Sequence, residues 1–258
     1  VSAVSSTETE HLRHGWEPDT PSSDTVLLAG VRAMMDRAEW WARAMGGRVQ
    51  RNGDLVLTDT GTDVALLNQA ISAAPLDRSV AELARVFYPR ARPFVLASPA
   101  GGADPGEYGL VLMGHPPFMV RAPGGAMPDA HSDITVTEVA DAGGLATWSA
   151  VLSTGFALGA VSLPAAVLDG ASRFWLASWR GEPGAVAASH VAHGVVDVEA
   201  VATLPALRGR GLGEAVSWAA TLADPSLPAV LLASDPGRPV YQRMGYLPML
   251  RWTMWYRS

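Results

Sequence analysis

The sequence predicts an α/β protein with a mixed sheet, arranged as two successive units, and three observations carry that prediction. From residue 134 onward, apolar runs of strand length alternate with helix-length stretches, and three of the strands follow one another directly, so parallel and antiparallel neighbours must share a sheet. The stretch "APGGAMPDAHSD", residues 122 to 133, is small, polar and rich in glycine and proline, as a boundary between units would be. The halves also echo each other: "VLASPAGG" then "LVLMGHPPFM" in the first resembles "LLASDPGR" then "VYQRMGYLPM" in the second. Met113-Gly114 lies 131 residues before Met244-Gly245 in that echo.

The elements follow in order. A polar leader covers residues 1 to 23. Leu27, Val31, Met34, Ala38, Trp41 and Met45 recur at alternating intervals of four and three, one face of a helix, and Glu39 and Arg43 support it at i, i+4. Asn52-Gly53 between two short alternating runs predicts a tight hairpin. Ser79 and Glu82 have capping-box spacing, so a helix should start there and stop before Pro89. A strand, "PFVLAS", closes this first unit, assigned to residues 24 to 124. The second unit, 132 to 258, reads strand (134 to 140), helix (141 to 155), short helix (164 to 170) and strands at 174 to 180, 185 to 192 and 195 to 203. A helix (211 to 223), a strand (229 to 233), a short helix (238 to 244) and one last strand near 249 to 257 complete it.

Composition removes several classes of function. A net charge of -6 supplies no general field for nucleic acid, which is not expected as a partner. With no cysteine there is neither a thiol nucleophile nor a thiolate metal site, and no metal is expected. All 19 basic residues are arginine, which excludes lysine Schiff-base chemistry and a Walker-type lysine. No segment approaches the length of a membrane span, so a cytoplasmic protein without a membrane partner is expected. The sequence leaves a homodimer open.

"ATLPALRGRGLGEAV", residues 202 to 216, is where a ligand is expected. Glycines at 209, 211 and 213 let the chain turn tightly and let a ligand approach the backbone. The helix that follows presents its first unpaired N–H groups at the bend, and with Arg208 and Arg210 they form a site for a phosphate. A dinucleotide fingerprint fits poorly, because Glu214 stands where GxGxxG needs its third glycine.

Arg208-Gly209-Arg210-Gly211-Leu212-Gly213 resembles the [RQ]-x-x-G-x-[GA] pyrophosphate-binding motif of the GNAT superfamily of N-acetyltransferases. "VEAVATLP" before it is similar to that superfamily's fourth strand, and "VLLASDPGRPVYQRMGYLPM" to its fifth strand, fourth helix and Tyr-x-x-x-Gly-aromatic ending. The resemblance covers residues 134 to 258 and reaches the first half only through the echo, as a degenerate unit without the bend; it implies tandem GNAT-like units. It further implies acetyl-CoA or another acyl-CoA as co-substrate, with pyrophosphate on Arg208 to Gly213 and pantetheine along Val201, Ala202 and Thr203. Ser234, ending the fifth-strand-like run, is grouped with these coenzyme contacts.

Acyl transfer to an amine needs a neutral nucleophile, and an alkyl ammonium with a pKa of about 10.4 must lose a proton first. Asp197, Glu199, Val201 and Thr203 should share one face of their strand, with the two acids roughly 7 Å apart. Either acid could be the base or the partner of an arginine; the resemblance favours Glu199. The leaving thiolate needs a proton, and Tyr241, in the resemblance the general acid, stays protonated at neutral pH. By the echo its counterpart is Leu110, so one active site is expected. His190 and His193 should point to opposite faces, solvated or at a substrate edge. Trp175, Trp179, Trp252 and Trp255 are expected mainly in packing. The function expected is acyl transfer to a small-molecule amine, cationic given the acidic chain. The alternatives are a coenzyme A-binding module without transfer, and O-acylation or acyl-thioester decarboxylation.

Overall fold

Hydrophobic alternation and helical stripes resolve into two mixed sheets, and the computed structural model describes them over residues 25–100, 108–129 and 131–257. The leader lies outside the described residues. The first stripe forms α1 (Thr25–Ala44), and Gly53 at φ 57° turns β1 (Arg48–Asn52) into β2 (Leu55–Asp59) as expected. β3 (Gln69–Ser72) precedes α2 (Arg78–Phe87). That helix is capped by Asp77, whose carboxylate accepts from the Val80 amide, and not by the Ser79–Glu82 box. The aspartate reaches the same kind of unpaired N–H two positions earlier. β4 (Phe94–Ser98), β5 (Val111–Gly114) and β6 (Pro117–Arg121) complete the first half.

The second half contributes β7 (Ile134–Glu138), α3 (Ala142–Gly155), β8 (Ser172–Trp179), β9 (Glu182–Ala192) and β10 (Val195–Thr203). After the glycine bend come α4 (Leu212–Thr221), β11 (Ala229–Leu232), α5 (Arg238–Arg243), β12 (Leu247–Arg251) and β13 (Thr253–Arg257). The single strand expected over 249 to 257 is therefore two, broken at Trp252.

That break interlocks the halves. The first sheet runs β1-β2-β3-β4-β13-β5 and the second β12-β6-β11-β10-β9-β8-β7, so each half places its final strand in the other's sheet, across the boundary expected at 124 to 132. The two crossings meet, the Trp252 amide donating to the Pro116 carbonyl at 3.0 Å. β5 and β12 hold equivalent edge positions, and β6 and β13 equivalent places beside them; each pair starts 136 residues apart, as do Leu96-Ala97-Ser98 and Leu232-Ala233-Ser234. The Leu-Ala-Ser part of the echo thus marks equivalent structure, whereas the Met-Gly part, 131 apart, does not. The counterpart of Tyr241 is then position 105, outside the described residues, and not Leu110.

α4 covers one face of the second sheet, against β7 to β10, while α3 and α1 cover the other. α1 thus lies between the sheets, touching β1 to β3 on one side and β9 and β10 on the other. Among the described residues no helix is long and apolar enough to cross a membrane.

Trp252 is buried at the crossing and stacks on Phe118 with centroids 6.1 Å apart. Trp252→Ala should lower the unfolding free energy by about 3–5 kcal/mol, with fluorescence and circular dichroism reporting one coincident urea transition for both halves. A loss under about 1 kcal/mol, or two separated transitions, would contradict the interlock.

Candidate active site

The bend is built as its glycines require. Gly209 and Gly211 have φ of 75° and 87°, where a side chain would be strained, and Gly211 is the N-cap of α4 with no side chain closing the helix end. Gly213 lies so close to β10 that a Cβ there would come within 2.9 Å of Thr203 Oγ1. Leu212 points inward into the core beside Gly184. The first turn of α4 therefore presents backbone amides and the positive end of its dipole to one spot. The arginines are partly engaged: Arg208 donates to the Thr203 and Gly155 carbonyls at 3.3 and 3.1 Å, and Arg210 lies 5.2 Å over the Trp179 ring. In the first half, the corresponding helix α2 carries the Asp77 carboxylate on its N-terminus, which fills the place an anion would take.

Next to the bend, the parallel pair β10 and β11 holds together only at Val196 with Ala229 and Asp197 with Val230. β10 continues on β9 to Thr203, but a bulge between Glu199 and Ala202 interrupts that ladder, with Ala200 in the left-handed region at φ 55°. Past Asp197 the parallel strands part and leave an open wedge. In the first sheet β3 and β4 stay paired from Gln69 with Val95 to Ile71 with Ala97, and no such wedge forms.

The bulge also corrects the expected alternation. Asp197 and Glu199 do share a face, but Val201 packs into the α4-side core with Val196 and Val198, and Thr203 meets Gly213 on that side. Ala200 and Ala202 turn to the other side, toward Trp148 and Phe174. One extra residue in the strand moves every later side chain to the opposite face.

The wedge opens into a cavity of about 1000 Å³ whose wall includes Glu199, Val201, Ser234 and Tyr241 from the second half. Ser234 also receives the Gly237 amide on its hydroxyl at 3.2 Å, closing the turn into α5. Tyr241 is nearly buried; burial, with the charge of Glu199 adding, pushes its pKa up to about 12 against a side-chain hydrogen bond with Ser217. It keeps its proton at neutral pH.

Both candidate acids meet one cation that the sequence reading missed. Arg37, on α1, bonds Asp197 Oδ2 through Nε at 2.7 Å and reaches Glu199 Oε2 through a terminal nitrogen at 3.0 Å. Burial opposes its charge, but the two carboxylates outweigh burial and hold its pKa above the usual value. Asp197 is fully buried, does not line the cavity, and keeps Oδ1 without a partner; burial raises its pKa despite Arg37. Glu199 is 33% exposed and does line it. The legible sign of Arg37 was its place in the apolar stripe, three residues after Met34 and four before Trp41.

His190 is neither solvated nor at a substrate edge. It is buried, with Nδ1 2.8 Å from Ser172 Oγ and Nε2 3.5 Å from Asp36, and His193 comes within 4.0 Å of the same aspartate, so the two rings converge instead of facing apart. The hairpin turn, with His193 at φ 52°, breaks the strand alternation between them. Among the described residues no group of three His, Cys, Asp or Glu could hold a metal ion. Of the tryptophans, Trp255 is core, Trp252 packs at the crossing and also lines the cavity, and Trp179 lies under Arg210.

No protein-family model matches the sequence, and no curated protein does. Among solved structures, a GCN5-related N-acetyltransferase from Kribbella flavida is 23% identical, with a TM-score of 0.63 over 87% of this chain and 95% of that one. A conserved protein of unknown function from Staphylococcus epidermidis scores 0.58 at 12% identity, covering 83% and 94%. A GCN5-related N-acetyltransferase-like protein from Streptococcus suis scores 0.54 at 14% identity, covering 87% and 99%. The chain has the GNAT superfamily fold, and the likeness takes in both sheets.

Burial, aided by the charge of Arg37, lowers the His190 pKa to about 4, below the 6.5 of the unfolded chain. The unfolded state therefore binds the proton first, and the contribution of His190 to stability is present above pH 6.5 and lost as pH falls toward 4, by roughly 3 kcal/mol. Asp197 runs in the opposite sense, so the comparison is with His190→Gln, which leaves Asp197 in place. The variant should lose less stability than the parent between pH 6.5 and 4 in urea titrations; parallel pH profiles would show that His190 does not charge on unfolding.

Proposed function

We propose that this chain transfers an acyl group, acetyl or another, from coenzyme A to an amine of a small molecule. One observation carries the reading: the wedge between β10 and β11 opens, with the Glu199 and Tyr241 side chains, on one cavity, and the amide-lined bend follows the end of the same strand β10.

The residues fit the coenzyme. The amides of Gly211 to Gly213, with Gly209, Arg208 and Arg210 around them, suit a diphosphate, and the missing Cβ of Gly213 lets the helix start lie close against Thr203. The freed edge of β10 at Val201 to Thr203 offers backbone groups to an extended amide-bearing arm, with Ser234 at the end of β11 across the wedge. The thioester supplies an activated carbonyl carbon. As the C–N bond forms and the C–S bond breaks, the proton of the amine passes to Glu199, directly or through water, and Tyr241 donates its proton to the leaving sulfur. Arg37 and Asp197 act as positioning residues, fixing the Glu199 carboxylate at the cavity wall. Acceptance by a coenzyme-binding protein without transfer is the second reading, favoured by one observation: the Glu199 carboxylate is already paired with Arg37.

Release of free coenzyme A from acetyl-CoA, followed with a thiol reagent across an amine panel, separates the two readings: amine-dependent release supports transfer, and tight binding with no release for any amine supports the second. Tyr241→Phe should slow the chemical step about 100-fold with coenzyme affinity kept; an unchanged rate would remove the acid role. Gly213→Ala should weaken coenzyme binding roughly tenfold, and adding Thr203→Ala should recover part of that loss, because it removes the hydroxyl the new methyl meets. Unaltered affinity in Gly213→Ala would place the diphosphate elsewhere.

A further inference from the structure

The cavity has two ends of different chemistry. Its second-half end carries Glu199, Ser234 and Tyr241; its far end is formed by the first sheet and the strand lent to it, with Ile71, Val95, Ala97 and Met254 in the wall. The charged residues that line it are Arg37, Asp63, Glu199 and Asp235. Asp63 and Asp235 are at the rim, their side chains 92% and 83% exposed, and each faces an arginine, Arg92 at 3.0 Å and Arg251 at 3.9 Å. At the junction Arg37 is shared between Asp197 and Glu199, one cation for two carboxylates. Away from the rim the far end therefore has no carboxylate to receive a second positive charge; the unpartnered acceptor in its wall, Gln69 Oε1, is a neutral amide oxygen and does not offset the loss of a cation's water. Apolar groups lose nothing by entering, and methionine side chains adapt to varied shapes.

Resting on the acyl-transfer reading, we infer that the acceptor is an amine with a single positive charge and an apolar body, its nitrogen beside Glu199 and its body against the first sheet. This narrows the cationic acceptor expected from composition: polyamines and other polycations are excluded. It also gives the first half, which lacks a bend and a wedge, a role as the wall that reads the acceptor. The apolar surroundings favour loss of the amine proton, since burial disfavours the ammonium form.

The test compares hexylamine with 1,6-diaminohexane, equal in chain length and differing in the second charge. Hexylamine should show a kcat/KM at least tenfold higher. Met254→Glu, which sets a carboxylate in the far wall, should shrink that ratio at least tenfold, and Ala97→Leu, which fills the same end, should raise the KM for hexylamine while leaving acetyl-CoA affinity unchanged. The thermal transition of each variant checks that it is folded, and the parent's ratio stands even if a variant is not. Equal or better turnover of the diamine by the parent overturns the inference and leaves acyl transfer intact. If no amine releases coenzyme A, calorimetry with both amines decides: binding of hexylamine alone keeps the cavity's selectivity and removes the transfer reading, and binding of neither, or of both equally, removes the inference as well.

Discussion

Everything placed around the site follows from two parallel strands that stop pairing almost as soon as they begin. β10 and β11 are joined at two positions, and β10 then bulges through Ala200 in a conformation that costs an alanine about 1–2 kcal/mol. Such local strain persists where the surroundings enforce it, and here it opens a strand edge between a glycine bend and a tyrosine. The equivalent place in the first sheet has no bulge and no wedge, and a carboxylate sits on its helix N-terminus. One chain thus contains the same arrangement with and without the wedge, and the two differ in the bulge, the glycine bend and the residue that caps the helix.

The halves are not independent bodies joined by a tether. Each lends the other a strand, and the crossings hydrogen-bond at Pro116 and Trp252. α1 adds a second tie by carrying Arg37 into the face of β10, where Asp197 would otherwise be buried without a cation beside Glu199. Removing one partner of such a buried group costs about 3–5 kcal/mol, so the ion pair is a constraint on how the halves sit as much as a source of stability. It also couples the first half to the candidate site through Glu199.

Much of this was legible in the sequence, and the parts that were not have definite causes. The helices and strands of the second half, the Asn52-Gly53 hairpin and the glycine bend all rest on local patterns, and local patterns survive folding. The strand exchange did not show, because β12 and β13 read as one apolar run and only partner choice separates them at Trp252. The bulge was equally hidden: nothing in "VEAVAT" marks Ala200 as left-handed, so Val201 and Thr203 were put on the face of Glu199. Arg37 was visible as a charge in an apolar stripe, but its partners lie 160 and 162 positions away. The histidines misled for a related reason, since the partners that bury His190 come from α1 and β8.

The wedge itself can be tested by hydrogen exchange of the chain with and without desulfo-coenzyme A. The account predicts slowed exchange confined to the amides of Val198 to Thr203 and of Gly211 to Glu214, the strand edge and the helix start. Protection at the matching segments of the first half, near Ile71 and Val80, or binding that leaves both second-half segments unchanged, would contradict it.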